Sequence, residues 1–199
     1  MQKLLLFVDK VSTFVGHAFS FLIVALTLHV AWEVFRRYAL DSPRAWAFDV
    51  MIMLYGTLFM MAGAYTLSRN GHVRGDFIYR AWTPRRQAKW DLVLYLLFFF
   101  PGILALIYAG WGYFRLSWML NEHSSFSPDG PMIWPFKGLI PITGVLMLLQ
   151  GIVEVIRCII CLRTGTWPDR LHDVEEMEKL ILEEAANKAD AEAIGKGAL

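Results

Sequence analysis

The sequence has few cysteines and few charged residues, and each shortage excludes a class of protein. Two cysteines in 199 residues cannot build a disulfide framework. Charged residues make up only 19% of the chain and its net charge is +1, so no overall electric field recruits nucleic acid. Long polar stretches are also missing before about Trp167, which leaves no room for a second globular domain.

Long apolar runs take the place of polar sequence. Hydrophobic residues make up 56% of the chain, above the roughly 45–50% that is usual in soluble proteins. Four runs approach the ~20 residues that a helix needs to cross the hydrocarbon core. We therefore predict an all-α integral membrane domain over residues 1–165, a bundle of four transmembrane helices. The predicted spans are residues 11–32, 46–67, 92–114 and 138–162. The first run is too long for a signal peptide, and we expect an uncleaved span.

Basic residues are unevenly distributed between the predicted loops, and this predicts an orientation. Fourteen Lys and Arg side chains fall on one side of the spans and five on the other. Basic residues near span ends stay in the cytoplasm, so we expect both termini there. Residues 166–199 form an acidic cytoplasmic tail in which apolar side chains recur at helical spacing. We expect a C-terminal amphipathic helix in this tail, and its role stays open.

Three acidic residues fall inside the predicted spans or directly at their ends, and a carboxylate within a membrane marks a functional site by default. Each lies near a predicted interface and has a basic neighbour. The expected pairs are Glu33 with Arg37, Asp49 with Arg44 or Arg36, and Glu154 with Arg157. A carrier site belongs near the midplane of the bilayer, and no unpaired charge is predicted there. The pattern favours a structural or interfacial role over ion transport.

The positions of histidine and cysteine argue against a cofactor. His17 and His29 both fall in the first span, whereas bis-histidine haem ligation needs imidazoles on different helices. Cys158 and Cys161 lie one turn apart in the fourth span, where packing is favoured over redox chemistry. We expect no cofactor, no metal and no enzymatic activity. A membrane anchor of a quinone-linked redox complex is the alternative, and a free-standing carrier is a third reading.

Motifs in the loops and at helix ends carry a resemblance to a known family. They read WEVFRRY at 32–38, SPRAW at 42–46, GHVRGDFIY at 71–79, EHSS at 122–125 and PMIWPFKGLIP at 131–141. On these motifs the chain resembles the small membrane subunit of tripartite ATP-independent periplasmic (TRAP) transporters. The resemblance covers about residues 5–165 and is strongest to longer variants that have a four-span core and a cytoplasmic tail.

The resemblance implies a subunit that holds no substrate site. In that family a periplasmic binding protein captures an organic acid, and a large membrane subunit carries it inward by an elevator motion driven by a sodium gradient. The small subunit packs against the large one, stabilises its frame and helps dock the binding protein. The implied location is the inner membrane of a bacterium, with phospholipids as further partners and no nucleic acid.

The candidate site residues form three groups. A large-subunit interface or a structural role is expected for Glu33, Arg36, Arg37, Trp46, Asp49, Gly56, Gly63, Gly144 and Gly151. The two glycine pairs are included because residues seven apart share a helix face, where small residues permit close helix contact. A cytoplasmic loop that turns or contacts lipid phosphate contains His72, Arg74 and Asp76. Docking of the binding protein, or ordinary solvated loop charge, is expected for Arg44, Glu122, Asp129 and Lys137.

Overall fold

The computed structural model of this chain describes residues 2–71, 79, 81–128, 130–168, 170–171 and 181–184. Four helical rods in this part are long and apolar enough to cross a membrane: Gln2–Ala39, Ala47–Ser68, Pro84–Met119 and Trp134–Thr164. The described residues form no strand, and their single β-bridge joins His123 to Met132. The prediction of an all-α fold with four membrane-spanning helices is confirmed.

The first rod consists of two helices, α1 (Gln2–Ser20) and α2 (Leu22–Ala39), which meet at Phe21. Just before the junction, the Ser20 hydroxyl donates to the carbonyl oxygen of His17 at 2.7 Å. Hydroxyl groups that bond back to the preceding turn often bend helices, which accounts for a break at this point. At about 57 Å, a 38-residue rod is longer than the ~30 Å hydrocarbon core. The predicted span 11–32 is its central part.

The second rod, α3 (Ala47–Ser68), follows a short loop. Its first and last residues each lie one position later than those of the predicted span 46–67. The third rod contains α4 (Pro84–Leu94), a π-helical turn (Tyr95–Phe99) and α5 (Phe100–Met119). The predicted span 92–114 lies inside this third rod.

The fourth rod, α6 (Trp134–Thr164), extends beyond the predicted span 138–162 at both ends. The residue after its last turn is Gly165, whose φ of 86° places it in the left-handed region where glycine carries no steric penalty. The Gly165 N–H donates to the carbonyl oxygen of Cys161 at 2.8 Å and so closes the last turn.

Helices α3 and α6 form the centre of the structure. Helix α1 packs on both of them, α2 packs on α3, and the third rod packs on α6. We call the two ends of the structure after a buried residue in each. The Asp49 end comprises the end of α2 and of α5 and the start of α3 and of α6. The Arg157 end comprises the start of α1 and of α4 and the end of α3 and of α6.

The four glycines predicted to share helix faces make close contacts within the chain. A Cβ atom at Gly144 would lie 2.6 Å from Ile107, and one at Gly151 would lie 2.3 Å from Phe99. The same construction at Gly56 meets Phe136 at 2.6 Å, and at Gly63 it meets Met147 at 3.2 Å. Of the two roles expected for these glycines, the contacts support the structural one.

Candidate functional site

A cluster of four charged side chains closes the Arg157 end. The Arg157 guanidinium donates from Nη2 to Asp9 Oδ2 and from Nη1 to Glu154 Oε1, the second bond at 2.6 Å. Arg170 Nη2 donates to the other oxygen of Glu154 at 2.8 Å. Two acids and two bases cancel in charge, and Asp9, Glu154 and Arg157 are buried. The cluster joins α1, α6 and the segment that follows α6.

Neutral polar groups complete the bonding of Asp9. Gln150 Nε2 donates to Asp9 Oδ1 at 2.9 Å, and the Ser12 hydroxyl donates to Gln150 Oε1 at 2.9 Å. A buried ion pair loses about as much by desolvation as it gains by attraction, but removal of one partner leaves an uncompensated charge and is strongly destabilising. This arrangement fixes the relative positions of α1 and α6.

The prediction for Glu154 is therefore confirmed, whereas the role of Asp9 was missed. Asp9 lies just before the predicted first span, and the sequence predicts no role for it. A signal was present in the fourth span: Gln150, Glu154 and Arg157 recur at spacings of four and three, which places them on one helix face. A polar stripe on an apolar helix indicates a polar partner on another helix.

The segment that follows α6 lies across the Arg157 end and contacts two other rods. Arg69, just past α3, donates from Nη1 to the carbonyl oxygen of Leu171 at 2.5 Å. Trp167 Nε1 donates to Gln87 Oε1 on α4 at 3.1 Å. With the Arg170–Glu154 bond, these contacts bring α3, α4 and α6 together through Trp167, Arg170 and Leu171.

At the opposite end, Asp49 is buried and accepts hydrogen bonds from two serines. Ser124 Oγ donates to Asp49 Oδ1 at 2.6 Å, and Ser127 Oγ donates to Oδ2. The prediction that Asp49 pairs with Arg44 or Arg36 is wrong. The reason is that its side chain points to the 120–133 loop, where hydroxyl groups take the place of a basic partner.

This loop is held by its own backbone as well. The Ser124 N–H donates to the Pro131 carbonyl at 2.9 Å, and His123 Nδ1 bonds the Gly130 carbonyl at 2.8 Å. Asp129, predicted to dock a partner, lies outside the described residues. The described residues of the loop are therefore held by hydrogen bonds, and the buried carboxylate of Asp49 attaches them to α3.

Lys137 and Glu122 form an ion pair at the same end. The Lys137 ammonium also lies 3.8 Å from the centre of the Tyr113 ring, and the whole residue is only 6% exposed. The expectation that Lys137 presents its charge to a soluble partner is wrong, because the side chain is buried and its ammonium group contacts Glu122 and the Tyr113 ring. The bond from Lys137 holds the pKa of Glu122 below its ordinary value.

The α2–α3 connection is ordered by Glu33 and Arg36. Glu33 Oε1 accepts the backbone N–H of Arg44 at 2.6 Å, so the expected pair with Arg37 is wrong. Arg36 donates from Nη2 to the carbonyl and hydroxyl oxygens of Ser42 at 2.9 and 3.0 Å. These bonds fold the loop back onto the end of α2.

Trp46 lies at the start of α3, between Arg44 and His29. The Arg44 guanidinium carbon is 5.1 Å from the centre of the Trp46 ring, and the His29 ring centre is 6.2 Å from it. His29 Nε2 bonds the Ala47 carbonyl at 2.9 Å.

His72, Arg74 and Asp76 lie outside the described residues, as does most of the predicted C-terminal amphipathic helix, of which only residues 181–184 are described, as helix. Cys158 and Cys161 are buried side chains that pack with Ala88 of α4. Over the described ranges, no three His, Cys, Asp or Glu side chains come together in a way that could hold a metal ion.

These features define a multi-pass helical membrane protein in which buried polar groups at both ends connect apolar helices. The chain belongs to the family described as "Tripartite ATP-independent periplasmic transporters, DctQ component", whose model matches residues 26–161. The predicted resemblance is thus confirmed. No curated protein matches the chain. The family is a component of a transporter rather than an enzyme, and it implies association with a large membrane subunit and a binding protein.

The region that the family model matches contains only part of the charged cluster at the Arg157 end. It includes Glu154 and Arg157 but ends before Arg170 and begins after Asp9. Half of the cluster at the Arg157 end therefore comes from parts of this chain that the family model does not match.

Proposed function

We propose that this chain is the auxiliary scaffold subunit of a sodium-coupled, binding-protein-dependent transporter that imports an organic acid across a bacterial inner membrane. It stabilises the large subunit that carries the substrate and helps to dock the periplasmic binding protein. Family membership supports the transporter part of this proposal.

The use of charge inside the chain is the observation that supports a scaffold best. At the Arg157 end the buried charges of Asp9, Glu154 and Arg157 satisfy one another. At the Asp49 end the buried carboxylate is bonded by two hydroxyls. A carrier needs polar groups that are free to bind and release a substrate, and these groups are committed to fixing helices. Such a frame suits the static partner of a moving carrier domain.

The docking role is assigned to the Asp49 end, which the charge distribution predicts to face the periplasm. Arg44 is exposed there, and the ordered 120–133 loop presents Phe126, which is 81% exposed. An exposed aromatic side chain on an ordered loop loses little entropy on binding and suits an interface anchor. Both termini are then cytoplasmic, and the tail extends from the opposite side.

Reconstitution tests the proposal directly. The chain, the large subunit and the binding protein are purified, and uptake of the acid that the binding protein captures is measured in liposomes with and without a sodium gradient. Uptake is expected only when all three components and the gradient are present. Uptake by this chain alone would refute the scaffold assignment. Full uptake by the other two components without this chain would show that transport does not require it.

A pull-down from the native membrane in mild detergent tests the partners. We expect the large subunit in about equal amount. Recovery of haem or iron–sulfur subunits in its place would support the redox-anchor alternative and contradict the proposal.

A further inference from the structure

A cleft of about 530 Å³ opens at the Asp49 end between α2, the 40–46 loop and α3. One part of its lining is an apolar wall that includes Val30, Val34, Phe48 and Met51. Pockets of roughly 300–1,000 Å³ accommodate small ligands. Because Val30 and Val34 lie one turn apart on a helix that crosses the membrane, this wall runs along the direction of an acyl chain.

The rim of the cleft is charged and includes Glu33, Arg37, Tyr38 and Arg44. Arg37 makes no hydrogen bond and no ion pair with any residue that the structure describes, and its side chain is exposed. Among the described residues, the Arg44 guanidinium contacts only the Trp46 ring, and this face contact leaves its N–H donors available. Two cations whose donors are not used by the described part of the chain therefore line the cleft.

Glu33 gives the rim a second, opposite charge. Its Oε1 is occupied by the Arg44 backbone N–H, whereas its Oε2 accepts no bond from the described part of the chain. The cleft thus offers cationic donors and an open carboxylate oxygen above an apolar wall. The two arginines attract an anionic group and Glu33 attracts a cationic one, so a ligand that carries both charges has a partner for each of the three side chains.

The level of the cleft in the membrane follows from its neighbours. Trp32 and Phe35 of α2 are stacked with ring centres 5.7 Å apart, and both are exposed. Exposed tryptophan and arginine near a helix end are typical of the headgroup region. The charged rim therefore lies at the depth of lipid phosphates, whichever way the chain is oriented.

We propose that this cleft binds one phospholipid whose headgroup carries both a phosphate and a primary ammonium, as in phosphatidylethanolamine. Arg37 and Arg44 bind the phosphate, and Glu33 Oε2 accepts a hydrogen bond from the ammonium. One acyl chain lies against Val30 and Val34. The site is independent of the proposed function, because it needs neither the large subunit nor a transported acid.

The test uses the full-length chain in nanodiscs made from equal parts of phosphatidylethanolamine, phosphatidylcholine and phosphatidylglycerol. After transfer to mild detergent, native mass spectrometry counts the phospholipids that remain bound. We expect wild type to retain one phosphatidylethanolamine. Its retention over phosphatidylcholine arises because a quaternary ammonium cannot donate a hydrogen bond to Glu33.

Three variants sharpen the result. Arg37→Gln is expected to lower retention about fivefold, the effect of one basic residue on an interfacial phosphate. Glu33→Gln still accepts the Arg44 N–H but loses its charge, so the preference for phosphatidylethanolamine over phosphatidylglycerol is expected to disappear. Arg115→Gln is the matched control, since Arg115 is exposed near the same end but does not line the cleft. Its retention is expected to equal that of wild type.

Several outcomes would overturn the proposal. They are the absence of retained lipid in wild type, equal retention of the three lipids, and an Arg115→Gln loss as large as that of Arg37→Gln. Unfolding temperatures of all variants are measured alongside, and values equal to wild type show that lost retention is not lost folding. Co-purification of the large subunit is scored separately, so failure of the lipid site and failure of the scaffold role are distinguishable.

Discussion

Replacing Arg157 by methionine tests whether the charged cluster holds the Arg157 end together. The change removes the cation that bonds both Asp9 and Glu154, and all three side chains are buried. Glu154 keeps its bond from Arg170, and among the described residues Asp9 keeps only the neutral amide of Gln150. Asp9 is then a buried carboxylate without a counter-ion.

The expected loss of stability comes from this unpaired buried carboxylate. Breaking a buried ion pair by removing one partner costs about 3–5 kcal/mol. For a chain of this size each 1 kcal/mol lowers the unfolding temperature by roughly 2–4 °C, so a fall of roughly 10 °C is expected. The measurement is thermal unfolding of the purified chain in detergent, followed by intrinsic fluorescence. Arg163→Met is the matched control, because Arg163 is exposed in the last turn of the same helix.

A second substitution separates charge imbalance from loss of packing. Asp9→Asn removes the carboxylate that Arg157→Met leaves unpaired, so the double variant is expected to be more stable than Arg157→Met alone. The positive coupling follows because contacting residues are not additive. The reasoning is refuted if Arg157→Met behaves like Arg163→Met, or if Asp9→Asn destabilises the Arg157→Met variant further.

Three further predictions concern other parts of the structure. Gly151→Ala places a Cβ 2.3 Å from an aromatic ring atom and is expected to cost about 1–3 kcal/mol in thermal unfolding, whereas Gly112→Ala, with open space around it inside a helix, is expected to cause no loss and a gain of up to about 1 kcal/mol; equal losses would contradict this packing. The pKa of Glu122 is lowered by the bond from Lys137, so its stabilising effect is complete above the ordinary value of 4.5 and is lost as pH falls through the lowered one. The difference in unfolding temperature between wild type and Glu122→Gln is therefore expected to shrink in acid, and a difference that widens there would argue against the pair. Asp49→Asn weakens two hydroxyl bonds and is expected to cost about 1–3 kcal/mol and to speed protease cleavage in the 120–133 loop, with unchanged cleavage as the contrary result.

The helices themselves are predictable from sequence because hydropathy reports on each segment separately. Runs of about 20 apolar residues mark a span whatever the rest of the chain does. Helix ends were harder to place, since polar residues such as Asp9 and Arg163 continue a helix outside the hydrocarbon. Local patterning also placed the glycines Gly144 and Gly151 on one face, although it did not identify their neighbours.

Partners of polar side chains were predicted well only where they were close in sequence. Glu154 and Arg157 are three residues apart and form the expected pair. The serines that bond Asp49 are 75 and 78 residues away, whereas the sequence predicts the nearby Arg44 or Arg36 as its partner. Helix packing decides such pairs, and the spacing of residues along one helix does not carry that information.

The cluster that joins α1 to α6 also has a consequence for biosynthesis. Asp9 is synthesised 148 residues before its counter-ion Arg157. At about 5–20 residues per second, roughly 7 to 30 seconds separate the two. During that interval the acid is left to water or lipid headgroups, and the Arg157 end cannot close. Helix α6 thus completes a structure that α1 begins, and a nascent chain that stops before Arg157 displays an unmatched acid that distinguishes it from the finished protein.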